Sequence, residues 1–381
     1  MKKIVSFLMC MSCIFLLSQC DNSDILDNGD NDDGHNITPI ETWDYSTIAV
    51  IARITDNSSG WSLCVMDKSG NDLRKIVDKT VACQKPIRSH FGTKLLFTSV
   101  KFDSWTNEDN SVGTSSEYEL CMVNTDGTNL VLIDHIDTTE SASFGSIAWS
   151  PDDSQIVYVK YSGASWEKHD LILYNISDNT RKILKTKGDI CTPKFSPDGK
   201  QIVYCASTEN NHHIYKMDVN GSNNQLIISN ASSPKWSPQG DKIVYSSSGE
   251  EREAQIFVAN ADGRNQKQLT FTVSPQRWPG PWAPDGNGDP QWTPDGKKIV
   301  YVSWESARPE IFIMNADGSN QTRLTTAEFR DENPEITPDG QYILFSSRRS
   351  DMMNNGIVIM SLDGSNQRVL SNVGICPVAC R

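Results

Sequence analysis

The stretch Trp292-Thr293-Pro294-Asp295-Gly296-Lys297-Lys298-Ile299-Val300-Tyr301-Val302 decides the fold. Its first half has the chemistry of a type I turn, which favours a short polar residue first, Pro second and Gly fourth. Its second half is apolar at consecutive positions and rich in β-branched and aromatic residues. That pattern marks a strand covered on both faces. The opening recurs at Ser150-Pro151-Asp152-Asp153, Ser196-Pro197-Asp198-Gly199, Ser237-Pro238-Gln239-Gly240 and Thr337-Pro338-Asp339-Gly340. Each copy leads into an apolar run, such as Ile156-Val157-Tyr158-Val159 or Ile243-Val244-Tyr245.

Outward from the turn, each copy continues alike. A variable loop is followed by an alternating strand such as Ile311-Phe312-Ile313-Met314. A second turn, Asn315-Ala316-Asp317-Gly318, then leads to a short edge strand, Thr322-Arg323-Leu324-Thr325. Each repeat is therefore a four-stranded antiparallel meander. A lone meander cannot bury both faces of its central strands, whereas copies stacked radially can. The expected fold is all-β: a β-propeller of about seven four-stranded blades, six being the alternative. Seven second-strand cores support that number when Ile48-Ala49-Val50-Ile51 and Leu95-Leu96-Phe97 are included. The first repeat lacks an inner strand on its N-terminal side. Gly374-Ile375-Cys376-Pro377-Val378-Ala379 matches the lead-in Asp189-Ile190-Cys191-Thr192-Pro193-Lys194, so the last strand should close the ring beside Ile48–Ile51.

The segments Trp236-Ser237-Pro238 and Trp292 to Tyr301, with Asn315-Ala316-Asp317-Gly318-Ser319-Asn320 downstream, resemble the repeats of the TolB propeller. The resemblance covers about residues 45–381 and implies architecture more than activity. Similar repeats occur in periplasmic scaffolds, peptidase propeller domains and oligogalacturonate lyases. The family's ring is six-bladed and follows an α/β domain; here the count is seven, and only a tether precedes the repeats.

Residues 1–19 read as a lipoprotein signal peptide: Lys2 and Lys3, then a short apolar run from Ile4 to Leu17. Leu17-Ser18-Gln19-Cys20 resembles a bacterial lipobox, in which Cys20 would be acylated. Residues 20–42 follow as an acidic tether too polar to offset its ordering entropy, and residues 43–381 form the propeller domain. The acidic run after Cys20 resembles the export signals of Bacteroides-type surface lipoproteins. The expected location is the outer membrane, periplasmic or surface-exposed, with the lipid as the only membrane contact and a monomeric chain.

A formal net charge of −13 and the absence of a basic stretch argue against nucleic acid. No nucleophile elbow, His-Glu-x-x-His or phosphate loop is present, so no catalytic residue or metal site is assigned. Asp27 to Asp32 and Asp285-Gly286-Asn287-Gly288-Asp289 have calcium-like spacing, so calcium is the one ion the sequence suggests and no other cofactor is implied.

The two turn families should share one face, leaving the long segments 100–117, 161–169, 271–290, 303–309 and 348–355 on the other. Long loops on a rigid ring favour binding. They hold Trp105, Trp166, Arg277, Trp278, Trp282, Trp304 and Arg308, the residue types that most often anchor partners. Each Trp could instead pack its own loop onto its blade. Asp189, Asp289, Asp331 and Glu332, just ahead of inner strands, would ring the channel mouth. Of the Cys after Cys20, Cys64 and Cys121 should pack as small apolar groups, and Cys83 and Cys376 could form a disulfide across the closure. The leading functional reading is a non-enzymatic, envelope-anchored scaffold binding a protein or glycan. The alternatives are a glycan-active propeller resembling oligogalacturonate lyase and a component of a Tol-like envelope complex.

Overall fold

The computed structural model describes residues 47–52, 61–81, 86–106, 112–138, 143–162, 168–208, 211–248, 254–272, 287–306, 308–326, 328–348, 356–372 and 375–380. These residues form seven four-stranded antiparallel sheets and no helix, which settles the count in favour of seven blades over six. Blade four is representative: Asp189–Phe195, Gln201–Thr208, Asn211–Asp218 and Gln225–Ile228, each paired with the next. The inner strands of blades two, three, five, six and seven are Ile87–Arg88, Ser143–Trp149, Ala231–Trp236, Asn287–Trp292 and Arg330–Ile336.

Blade one takes strands from both ends of the chain. Ile375–Cys380 pairs antiparallel with Thr47–Ala52, placing Ala379 opposite Ile48 and Val378 opposite Ala49. The match between the C-terminal stretch and the lead-in of blade four thus corresponds to a shared structural position.

Seven hydrophobic clusters of described residues fill the seven junctions between neighbouring blades. The second strands supply both sides. Ile156 and Tyr158 face blade two, whereas Val157 and Val159 face blade four. Consecutive burial of this kind requires a neighbour on each side, so the apolar runs themselves demand a ring. Burying each such side chain contributes about 1.5–3 kcal/mol.

The turns lock blade to blade. In the Ser196 turn, the Gly199 N–H donates to the Ser196 carbonyl at 2.9 Å, and the Ser196 hydroxyl donates to the Asp198 carboxylate at 2.6 Å. Gly199 has φ +70°, a conformation that explains Gly at the fourth position. Blade three has Asp153 there, at φ +55°. Its carboxylate accepts the N–H groups of His90 and Phe91 in blade two, at 2.7 and 3.0 Å. Asp153→Gly relaxes the backbone but loses both bonds, and should cost about 1 kcal/mol net. Asp153→Ala loses the bonds and keeps the strain, and should cost about 2–3 kcal/mol in thermal denaturation.

The turn aspartates also set an acid limit. The hydroxyl of Ser150, followed by that of Ser154, holds the Asp152 carboxyl down to about 2. A carboxylate with a depressed folded value stabilises above its ordinary range and loses that contribution as pH falls. Thermal stability should therefore drop as the solution is taken from about pH 5 towards pH 2.

In blades two to seven the second turn bonds to the first turn of its own blade, as in Val219 N–H to the Lys200 carbonyl and Ala316 N–H to the Lys297 carbonyl. Both turn families therefore lie on one face. The inner strands carry an irregularity not read from the sequence. Thr192, Ser233, Asp289 and Asn333 have φ between +46° and +55°, and each immediately precedes a Pro. The result is a bulge at the same place in four blades. Bulge and proline together interrupt pairing along the inner edge.

One expected loop is a strand pair. Residues 100–117 belong largely to an extended hairpin, Lys94–Thr106 with Val112–Asn124, which places Trp105 opposite Gly113. The polar composition of this segment concealed its pairing.

Candidate functional site

On the face away from the turns, the start of the third strand repeats a register position that points towards the next blade. The residue is His212 in blade four, Gln255 in blade five and Glu310 in blade six, opposite Ser207, Ser247 and Ser303. In blades five and six its neighbours come from the outer edge of its own blade and from the following inner strand. Between blades five and six, Gln255 Oε1 accepts from the Thr270 hydroxyl at 2.8 Å and from Asn287 Nδ2 at 3.0 Å. The Thr270 Oγ1 accepts the Ile256 N–H at 2.9 Å, so this buried neutral network is tied to the backbone.

Between blades six and seven the same positions are acidic. Glu310 is 1% exposed and Asp331 3% exposed, with Thr325 also buried. The Thr325 hydroxyl oxygen accepts the Ile311 N–H, as Thr270 does one blade earlier. Burial pushes the Glu310 carboxyl up, against the opposing pull of Arg323, and the charge of Asp331 pushes it further. Arg323 approaches Glu310 at 3.6 Å from a half-exposed position. Glu310 Oε1 has no hydrogen-bond partner among the described residues.

A group with a raised folded value stabilises the protonated state, and that stability is lost as pH rises through the folded value. Glu310→Gln copies the Gln255 solution of the neighbouring blade. It should raise the melting temperature at about pH 8, with the difference vanishing near pH 4.

Above these carboxylates lies a half-buried aromatic and cationic patch. The Arg330 guanidinium sits 5.3 Å from the Trp304 ring centroid and pairs with Glu332 at 3.1 Å. Stacking of this kind offers a partner a planar apolar surface edged by positive charge. Arg308 donates to the Glu328 carbonyl, and the Ser306 hydroxyl pins the same loop by donating to the Arg308 carbonyl at 2.8 Å. The Asp331 N–H donates to the Pro309 carbonyl at 3.0 Å, joining this loop to the inner strand of blade seven.

The structure thus brings together Trp304, Arg308, Asp331 and Glu332 from the sequence-derived set. It adds Glu310 and Arg330, which sequence reasoning missed because their meeting depends on strand register. Asp189, Asp289, Asp331 and Glu332 stand within inner strands rather than ahead of them. Asp189 and Asp289 are exposed, but Asp331 is packed between blades instead of facing an open mouth. Cys20, Cys83, Trp166, Arg277, Trp278 and Trp282 lie outside the described residues, and Trp105 and Cys376 are placed only as strand positions. Cys64 and Cys121 are fully buried in junction clusters. The five described histidines, His90, His135, His169, His212 and His213, lie on a turn or on third and outer strands, not on inner strands.

Comparison with known proteins gives a consistent picture. The TolB beta propeller domain family matches residues 87–288 and 232–375. The Tol-Pal system protein TolB of Francisella tularensis subsp. mediasiatica (strain FSC147) is 30% identical over 255 residues, 65% of this chain and 55% of that protein. The chain therefore spans about half the length of the curated relatives it matches. The crystal structure of TolB from Acinetobacter baumannii superposes with a TM-score of 0.51 at 20% identity, covering 86% of this chain and 81% of that one. An oligogalacturonate lyase in complex with manganese gives a TM-score of 0.55 at 14% identity, covering 86% of each. At these identities the structural likenesses show a common fold alone.

Proposed function

The chain belongs to the TolB beta propeller domain family, and from that premise we propose that it is an envelope scaffold holding a protein partner on its loop face. The observation that carries the reading is the Trp304–Arg330 stack at the junction of blades six and seven. Rigid aromatic and Arg groups of this kind are the common energetic anchors of protein interfaces. Relatives named as Tol-Pal system proteins support an envelope protein as the partner class, in the manner of a Tol-like assembly. Cys20, in its lipobox-like setting, would tether the propeller to the outer membrane through the acidic segment that follows.

Partner capture from native membranes of the source bacterium tests this. The wild-type chain should retain a defined envelope protein, and Trp304→Ala or Arg330→Ala should weaken retention by about tenfold or more. Lys200→Ala on the turn face should leave it unchanged. Equal retention by all three variants would exclude this surface. Retention of a glycan with no protein would exclude the partner class.

A further inference from the structure

Blade four contains a cluster that neither the scaffold reading nor the fold requires. Cys191 and Cys205 stand directly opposite each other on its inner and second strands. His212, the second residue of the third strand, stands opposite Ser207, two residues along from Cys205. Side chains two apart share a face of a sheet, so the three lie together on the side turned towards blade five. Cys205 Sγ lies 3.8 Å from the carbonyl of Ala231, the first residue of that blade's inner strand. The two sulfurs and a His212 ring nitrogen all lie within 4.8 Å of one another, and Cys205 Sγ to His212 Nδ1 is 3.7 Å.

We infer that Cys191, Cys205 and His212 form a binding site for a zinc-class divalent cation. The spacing fits. Zinc bonds of about 2.3 Å to sulfur and about 2.0–2.1 Å to nitrogen place tetrahedral ligands roughly 3.6–3.8 Å apart. The donor set selects the metal class, because two thiolates and an imidazole disfavour calcium and magnesium, which take oxygen ligands. Charge balance points the same way. Binding releases the Cys191 and Cys205 thiol protons to solvent, and two thiolates cancel the charge of a divalent ion. With neutral His212, the junction then buries no net charge. Cys205 is fully buried and Cys191 nearly so, while His212 is partly exposed and gives the ion its way in.

Neighbouring blades show that the propeller does not need these residues for packing. The register positions of Cys191 and Cys205 are Ser232 and Ser246 in blade five, and Gly288 and Val302 in blade six. Those of His212 are Gln255 and Glu310. Cys191→Ser, Cys205→Ser and His212→Gln therefore install side chains that the adjacent blade already accommodates.

The test is titration of the reduced full-length chain with cobalt(II), then zinc competition against a chromophoric chelator. One equivalent should bind, with a thiolate-to-cobalt charge-transfer band that zinc abolishes. Each of the three variants should bind at least about tenfold more weakly, and the double variant Cys191→Ser/Cys205→Ser should lose the band. Cys64→Ser, in another junction, should retain both band and affinity. Circular dichroism checks that each variant is folded. Binding unaffected by these substitutions would overturn the assignment. So would a reduced, folded wild-type chain that gives no charge-transfer band.

Discussion

Val378→Asp should destabilise the protein by about 4 kcal/mol or more and open the ring. Val378 is 1% exposed, pairs with Ala49, and belongs to the cluster joining blades one and two. A carboxylate there has no cationic partner within that apolar cluster, so it must be desolvated or force the closing strand out. Loss of that strand leaves Thr47–Ala52 with an unpaired edge and uncovers the buried faces of blade one. Urea denaturation should show a lower midpoint, and limited proteolysis should cut first near the closing strand. Leu132→Asp, at a position 49% exposed, should change stability by no more than about 0.5 kcal/mol. Equal behaviour of the two variants would show that closure contributes little to stability.

The second large effect is expected at Tyr204. Tyr204→Ala should cost about 3–5 kcal/mol in urea denaturation, whereas Tyr204→Phe should cost about 1 kcal/mol. The ring is fully buried between blades three and four and stacks on Tyr215 with centroids 5.5 Å apart. Its hydroxyl donates to Asn224 Oδ1 at 2.9 Å and accepts the Lys187 N–H at 3.4 Å, and burial pushes it up to about 12. Tyr204→Ala leaves a cavity at a junction that a rigid ring cannot collapse. Tyr204→Phe removes only the two polar contacts. Tyr158, Tyr245 and Tyr301 hold the same place in their blades, so the pair of values measures what one aromatic contributes to one junction. Similar losses for both variants would assign the stability to the hydroxyl rather than to packing.

Most of the architecture was legible because its determinants are local. A Ser-Pro-Asp-Gly turn specifies its own geometry, and Ile202-Val203-Tyr204 states that both faces are covered. The closing strand was legible because its residues repeat those of blade four. The hairpin around Trp105 was not, since polar residues such as Lys101 and Asp103 look like loop until register pairs them with Glu117 and Ser115. The buried polar tier was hidden for a related reason. Gln255 and Thr270 meet within blade five, and Asn287 joins them only when blade six docks. Glu310 carries no signal of its own in the sequence, and Asp331 reads there as a channel-mouth carboxylate rather than as its buried neighbour. The Cys191–Cys205–His212 cluster also needs strand register, which spacing alone does not supply. The bulges at Thr192-Pro193, Ser233-Pro234, Asp289-Pro290 and Asn333-Pro334 had a visible signature in the repeated proline.

The shared sheet of blade one has a consequence for how the molecule is made. Arg368, on the outer strand of blade seven, also reaches blade one, donating to the Lys68 carbonyl 300 positions away. The earliest strand of the ring thus waits for the last to be synthesised. Contacts this distant form late and slowly, so a nascent chain keeps its first blade incomplete until its final segment arrives. A partly made chain therefore cannot lock its ring.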